Sequence, residues 1–152
     1  MANSFEIVKN LFEKHIEGTP EKAVVAYVTV SICKLTNTVG KEMKKSLDCD
    51  NRVYINTRVL KHLYDRKPAE EFNFVISKIH KIVKYPDHIY KNKNPKRGDV
   101  CLVKKIGNES YLCSLELCDK ELCVVTCFRI RKETYLNDYE LLWSWRGDIL
   151  SS

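Results

Sequence analysis

The chain has 152 residues, of which 44% are hydrophobic and 30% charged, and a formal net charge of +6. That length suits one domain whose core needs no disulfide staples, and no run of about 18 apolar residues exists to cross a bilayer. The start, Met1-Ala2-Asn3-Ser4-Phe5-Glu6, lacks the basic and apolar regions of a secretory signal, so we expect a cytoplasmic protein with no membrane partner.

In chain order, Ser4 to Glu17 carries apolar residues at 5, 7, 8, 11, 12 and 16, a helical spacing behind a Ser cap that stops at Gly18-Thr19-Pro20. Ala23 to Leu35 is rich in Val, Tyr, Thr and Ile and alternates as a strand would, with a buried helix as the alternative. Thr38 to Leu47 resumes a helical pattern on Val39, Met43 and Leu47. Val53 to Asn56 reads as a short extended piece, after which Thr57 is placed to cap a helix bearing Leu60, Leu63 and Tyr64. Lys67-Pro68 breaks that helix. A longer one runs from Pro68 to about Lys84, acidic at its start (Glu70, Glu71) and basic at its end (Lys81, Lys84), as the helix dipole favours.

Tyr90 to Gly98 is a polar, basic loop. The window from Lys78 to Lys105 holds nine Lys/Arg against Asp87 and Asp99, a local +7, so the rest of the chain sums to −1. Lys84, Lys91, Lys93, Lys96, Arg97 and Lys104 in this window are candidate phosphate contacts; a solvated charge run is the competing reading.

Val100–Ile106, Tyr111–Leu117 and Leu122–Ile130 form a three-stranded antiparallel meander with turns at Gly107-Asn108 and Asp119-Lys120. In its last strand, period-2 alternation puts Val124, Thr126, Phe128 and Ile130 on one face and Cys123, Val125, Cys127, Arg129 and Arg131 on the other. Arginines ending a strand beside a threonine can grip an anion, or be solvated at a sheet edge. Glu133–Leu142 has near-helical spacing, Trp143 to Arg146 alternates like a strand, and the residues beyond Gly147 read as a frayed terminus. Trp143 and Trp145 could stack bases or pack on the sheet. Helices first and strands after make the fold α+β, N-terminal helices packed on a mainly antiparallel sheet.

Cysteines 33, 49, 101, 113, 118, 123 and 127 show C-x4-C and C-x3-C spacings instead of the zinc knuckle, with no His close in sequence, so we expect reduced thiols, no metal and no cofactor.

Three pieces together carry a resemblance. They are Val53-Tyr54-Ile55-Asn56-Thr57-Arg58-Val59-Leu60-Lys61-His62, the helix ending in Ile82-Val83-Lys84-Tyr85-Pro86-Asp87, and the strand Cys123-Val124-Val125-Thr126-Cys127-Phe128. Their order resembles the phage-type branch of the barnase, EndoU, colicin and RelE-like (BECR) nucleases over residues 50–132. The resemblance implies one nuclease-like domain over 1–152, with an N-terminal extension to 50, a core over 51–132 and a C-terminal element over 133–152. It also implies His62 on a helix facing the sheet, Thr126 on the last meander strand, and Arg129 and Arg131 as phosphate ligands. Arg66-Lys67-Pro68 stands where the family often has a second His, Tyr85 where it has Asn, and Cys127-Phe128 where it has Ala-Tyr.

Metal-independent RNA cleavage needs a base for the 2′-hydroxyl, a cation for the phosphate and an acid for the leaving oxygen. His62 is the first candidate for the acid or base, because imidazole titrates near neutrality; His80 is a weaker alternative. Lys61 and Arg66 flank His62, with Arg66 one helical turn on. Two functions follow: a toxin-like RNA endonuclease acting on tRNA or mRNA, with an antitoxin or immunity protein as partner, or a non-catalytic RNA-binding or partner-binding module on the same fold. Enzymatic work on a small phosphorylated ligand has less support, because no Gly-rich phosphate loop appears among only five glycines.

Overall fold

The computed structural model describes residues 3–66 and 68–145; the readings at Lys67 and beyond Gly147 lie outside them. The elements run α1 (Ser4–His15), β1 (Thr29–Lys34), α2 (Asn37–Lys44), β2 (Arg52–Asn56), α3 (Thr57–Arg66), α4 (Ala69–Lys84), β3 (His88–Lys91), β4 (Val100–Ile106), β5 (Glu109–Cys118), β6 (Glu121–Ile130) and β7 (Leu141–Ser144). The seven strands form one sheet in the order β1-β2-β6-β5-β4-β3-β7, antiparallel throughout except for a short parallel contact between β2 and β6. The fold is therefore α+β, consistent with a BECR-like nuclease.

One face of the sheet carries the helices. Phe72, Val75, Ile79 and Val83 of α4 are buried with Val100 and Leu102 of β4, Cys113 and Leu115 of β5, and Val124 and Cys127 of β6. α1 closes this layer through Phe12, whose ring meets Tyr64 and Phe72 at 5.3 and 5.0 Å. The opposite face holds a smaller cluster of Cys101, Val103 and Leu112, covered by Tyr90, Phe128, Ile130, Leu136 and Tyr139. All seven cysteines are free thiols, most of them packed in strands as small apolar side chains.

Several local expectations change. Asn3, not Ser4, caps α1, its side chain accepting from the Glu6 amide at 2.9 Å. Asn56 likewise replaces Thr57 as the side chain capping α3, accepting from Val59 at 2.9 Å. Thr57 is fully buried, where its hydroxyl donates to the Ala26 carbonyl and accepts from the Val28 amide, tying α3 to the chain before β1. The basic loop begins as a strand, β3, and contains a 3-10 turn at Pro95–Arg97. Residues 133–139 form successive tight turns and no helix, each closed by an i to i+3 backbone bond such as Tyr139 N–H to the Leu136 carbonyl. Their aromatic and apolar residues are spaced to cover the second sheet face, which three stacked turns achieve as well as a helix would.

The consequential departure is in β6. Register shifts between Ser114, opposite Thr126, and Leu115, opposite Val124, so Val125 is an extra residue, a β-bulge. Strict alternation fails there: Val124 and Cys127, three apart, both face the helices, whereas Thr126 follows Phe128 onto the opposite face.

Candidate functional site

β2 pairs with β6 only at Val53 and Tyr54, opposite Leu122 and Cys123. Its chain then turns into α3, which lies beside the rest of β6 and leaves a groove of about 440 Å³ between helix and strand. His62, Leu63 and Arg66 line it from α3, Val125, Thr126 and Phe128 from β6, and Arg97 from the 3-10 turn. Leu63 is buried while His62 and Arg66 are exposed, because α3 presses Leu60 and Leu63 into the core and leaves His62 and Arg66 on its outer side.

Arg97 arrives from a different part of the chain on a well-tied loop. The Asn94 side chain accepts from the Lys96 amide, the Asn92 amide group donates to the Arg97 carbonyl at 3.0 Å, and the Asp99 amide donates to the Leu115 carbonyl at 2.8 Å. Gly98 permits the close approach. Its φ is +116°, and a Cβ there would stand 3.0 Å from the Leu115 carbonyl oxygen. Ser114, directly opposite Thr126, is buried behind the groove with a hydroxyl oxygen that has no partner among the described residues.

The lining offers an imidazole, two guanidinium groups, a hydroxyl and an aromatic ring, with no carboxylate. This set suits a phosphate and a base. It lacks the carboxylate and carbonyl side-chain oxygens that Mg2+ or Ca2+ needs.

The other expected site residues fall elsewhere. Lys61 is only 6% exposed and is not available to RNA: its ammonium donates to the Pro20 carbonyl and to Asp65 Oδ1, both at 2.7 Å. Desolvation raises the Asp65 pKa, but the Lys61 ammonium and the Lys22 amide outweigh it and hold the carboxyl below its ordinary value. Arg129 and Arg131 do not line the groove. Arg129 alternates with Phe128 towards α4, opposite Tyr111, whose ring packs on Phe74 at 5.2 Å. Arg131 donates to both carboxylate oxygens of Glu71 at 3.0 Å. His80 is on α4, outside the groove, and burial together with Lys81, Lys84 and Lys78 pushes its pKa down.

Of the remaining lysines, Lys93 pairs with Asp138 at 3.2 Å, and Lys91 and Lys96 are exposed. Lys84 and Lys104 line a separate cleft with Trp143 and Trp145. Of the residues named from the sequence, the groove brings together His62, Arg66, Arg97 and Thr126, and Arg97 reaches it because the 3-10 turn folds back over β5. It missed Phe128 as part of the groove. A signal existed in the apolar spacing Leu122, Val124, Cys127, a step of two followed by a step of three that marks a bulge.

Residues 32–137 match the family model described as phage-Barnase-EndoU-ColicinE5/D-RelE like nuclease3, a span that begins inside β1 and ends in the turns after β6. No curated protein and no solved structure matches the chain.

Proposed function

Since the chain belongs to the phage-type barnase, EndoU, colicin and RelE-like nucleases, we propose that it is an endoribonuclease that cuts RNA without a metal ion in the groove between α3 and β6. The observation that carries this reading is the lining of that groove, where His62, Arg66, Arg97 and Thr126 converge with no acidic residue. His62 takes the proton of the attacking 2′-hydroxyl or gives one to the leaving 5′-oxygen. Arg66 and Arg97 hold the phosphate and stabilise the charge that grows on it in the pentacoordinate transition state. Thr126 donates a hydrogen bond to a non-bridging oxygen, and Phe128 offers a ring face to a neighbouring base.

Incubation of the purified protein with total RNA in EDTA tests the reading. The expected products end in 2′,3′-cyclic phosphate, and a substrate with hydrogen in place of the scissile 2′-hydroxyl is spared, because that hydroxyl is the nucleophile. tRNA and mRNA are the RNA classes to try first. A toxin-like role, with action in the cytoplasm and a protein inhibitor that covers the groove, belongs to the same reading.

One observation favours a second reading. His62 is the only imidazole in the groove, and Arg66-Lys67-Pro68 takes the place of a second histidine, so the acid and the base cannot both be imidazoles. A module that binds RNA or a partner without cutting would need no such pair. RNA bound but intact across a broad panel would select it.

A further inference from the structure

On the helix-bearing face of the sheet lies a second cleft of about 540 Å³, which shares no lining residue with the His62 groove. It opens between the start of α2, the end of α4 and strand β7, with Trp143 and Trp145 on one side and Lys84 and Tyr85 on the other. Past Thr38 and Trp143 it continues into a hollow lined by Lys41 and Lys44 of α2 and by Lys45, which caps its end. These lysines lie outside the basic window of residues 78–105. The fold thus unites two basic segments that are distant in sequence.

Charge and ring chemistry decide what the cleft takes. Five lysines, counting Lys104, face two carboxylates. Glu42 holds Lys45 at 2.9 Å, and Asp87 stands 4.0 Å from Lys104, whose ammonium also donates to the Tyr85 carbonyl. Lys41, Lys44 and Lys84 have no carboxylate partner among the described residues. The Lys84 ammonium lies 5.7 Å from the centre of the Tyr85 ring. Two large rings stand out at the rim, Tyr85 at 55% and Trp145 at 56% exposure, while Trp143 forms part of the wall and is packed partly on the core. Unpaired cations spaced along a recess that also displays aromatic faces match a chain of phosphates with bases to stack. A flat lipid surface would engage protruding groups better than recessed ones.

We propose that this cleft is a second nucleic-acid site, in which single-stranded RNA lays its phosphates along Lys41, Lys44 and Lys84 and stacks a base on Trp145. It is an anchoring site on the face of the sheet opposite the His62 groove, and binding there does not depend on whether the protein cuts RNA.

The chain has only two tryptophans, both in this cleft, so intrinsic tryptophan fluorescence reports on this site and not on the groove. The probe is a 12-nucleotide 2′-O-methyl oligoadenylate, which cannot be cleaved through its 2′ position, titrated into the full chain. Quenching is expected, with an affinity that falls as salt rises. Replacing Lys41, Lys44 and Lys84 together by alanine should weaken binding at least tenfold and reduce the salt slope by about 2, at about 0.7 per phosphate contact on a single strand. Trp145→Ala should weaken binding at least fivefold and Trp145→Phe should retain it, because a phenyl ring still stacks. Far-ultraviolet circular dichroism checks that each variant is folded; the lysines are surface groups and keep the test valid if the tryptophan variant is not.

His62→Ala should leave the quenching unchanged, and the lysine variant should cut a trinucleotide as fast as the parent does. Quenching by a parent protein that cuts no RNA would therefore reject the nuclease reading and keep this one. Absence of quenching, quenching untouched by the lysine changes, or quenching by phosphatidylserine vesicles and not by the oligonucleotide would overturn the proposal.

Discussion

Neighbouring residues of the same element meet opposite environments in two places, and the pairs are instructive side by side. On β6, Thr126 and Phe128 look into the open groove, whereas Arg129 looks towards α4 and Arg131, just past the strand, is taken up by Glu71. On α3, His62 looks into the same groove while Lys61, one residue earlier, is buried against Pro20 and Asp65. Charge alone would have assigned the two arginines and the lysine to phosphate. What decides instead is the carbonyl or carboxylate that Lys61 and Arg131 meet after folding and the face of β6 on which Arg129 falls, and the groove keeps as cations those that have no such partner among the described residues. Arg66 and Arg97 are the two that remain.

The widest gap between the two members of a pair should come from His62 and Lys61. His62→Ala is expected to lower the rate of RNA cleavage by about 100-fold or more, the usual scale for loss of a general acid or base, with the melting temperature unchanged. Cleavage that survives the change would keep the enzyme and reject the residue. Lys61→Met should do the reverse. It leaves Asp65 and the Pro20 carbonyl without their shared donor, which costs about 2 kcal/mol and lowers the melting temperature by about 4–8 °C, while turnover per folded molecule stays the same.

The same pair has a pH signature. Because the folded state holds Asp65 below its ordinary carboxylate pKa, the stability it contributes is complete above the pKa of the unfolded chain and is lost as pH falls through the lower folded value. In Lys61→Met the main cause of the depression is gone, so this part of the acid-side loss should shrink in a pH series of denaturant titrations.

Arg97 tests whether the groove's second cation comes from the 3-10 turn. Its backbone is fixed by Asn92 and Asn94 and its side chain is exposed, so Arg97→Ala should not disturb the fold. A fall in kcat of about tenfold is expected, with a smaller change in KM, because the contact strengthens as charge develops on the phosphate. An unchanged kcat with a raised KM would reduce Arg97 to a ground-state contact.

Much of this was legible in the chain itself, for identifiable reasons. The meander was readable because its strands alternate and its turns carry Gly107-Asn108 and Asp119-Lys120; Asp119 and Gly107 do adopt positive φ. α4 was readable from its long apolar stripe and its charged ends. The partners of β2 were not, because a two-residue parallel contact leaves no pattern in sequence. The face of each residue on β6 was written only faintly, since one inserted residue at Val125 reverses the alternation and only the apolar spacing of Leu122, Val124 and Cys127 marks it. The lining of the groove follows the same division: His62 and Thr126 came from motifs, whereas the position of Arg97 in that lining and of Arg129 and Arg131 outside it depends on long-range packing.

The smallest expected effect is the most discriminating. Arg131 and Glu71 form a two-oxygen contact, but Arg131 is 55% exposed, so solvent screens the pair and its contribution to stability should be only about 0.2–1 kcal/mol. Arg131→Ala should therefore shift the denaturation midpoint slightly and leave cleavage alone, and Glu71→Gln should shift it by a similar amount. If Arg131 were a phosphate ligand that Glu71 merely occupies between substrates, the two changes would diverge: Arg131→Ala would slow cleavage, while Glu71→Gln would free the guanidinium and tighten RNA binding. Equal small stability losses with unaltered kinetics would confine Arg131 to holding the end of β6 against the start of α4. A kinetic divergence would return it to the site and show that RNA crosses from one face of β6 to the other.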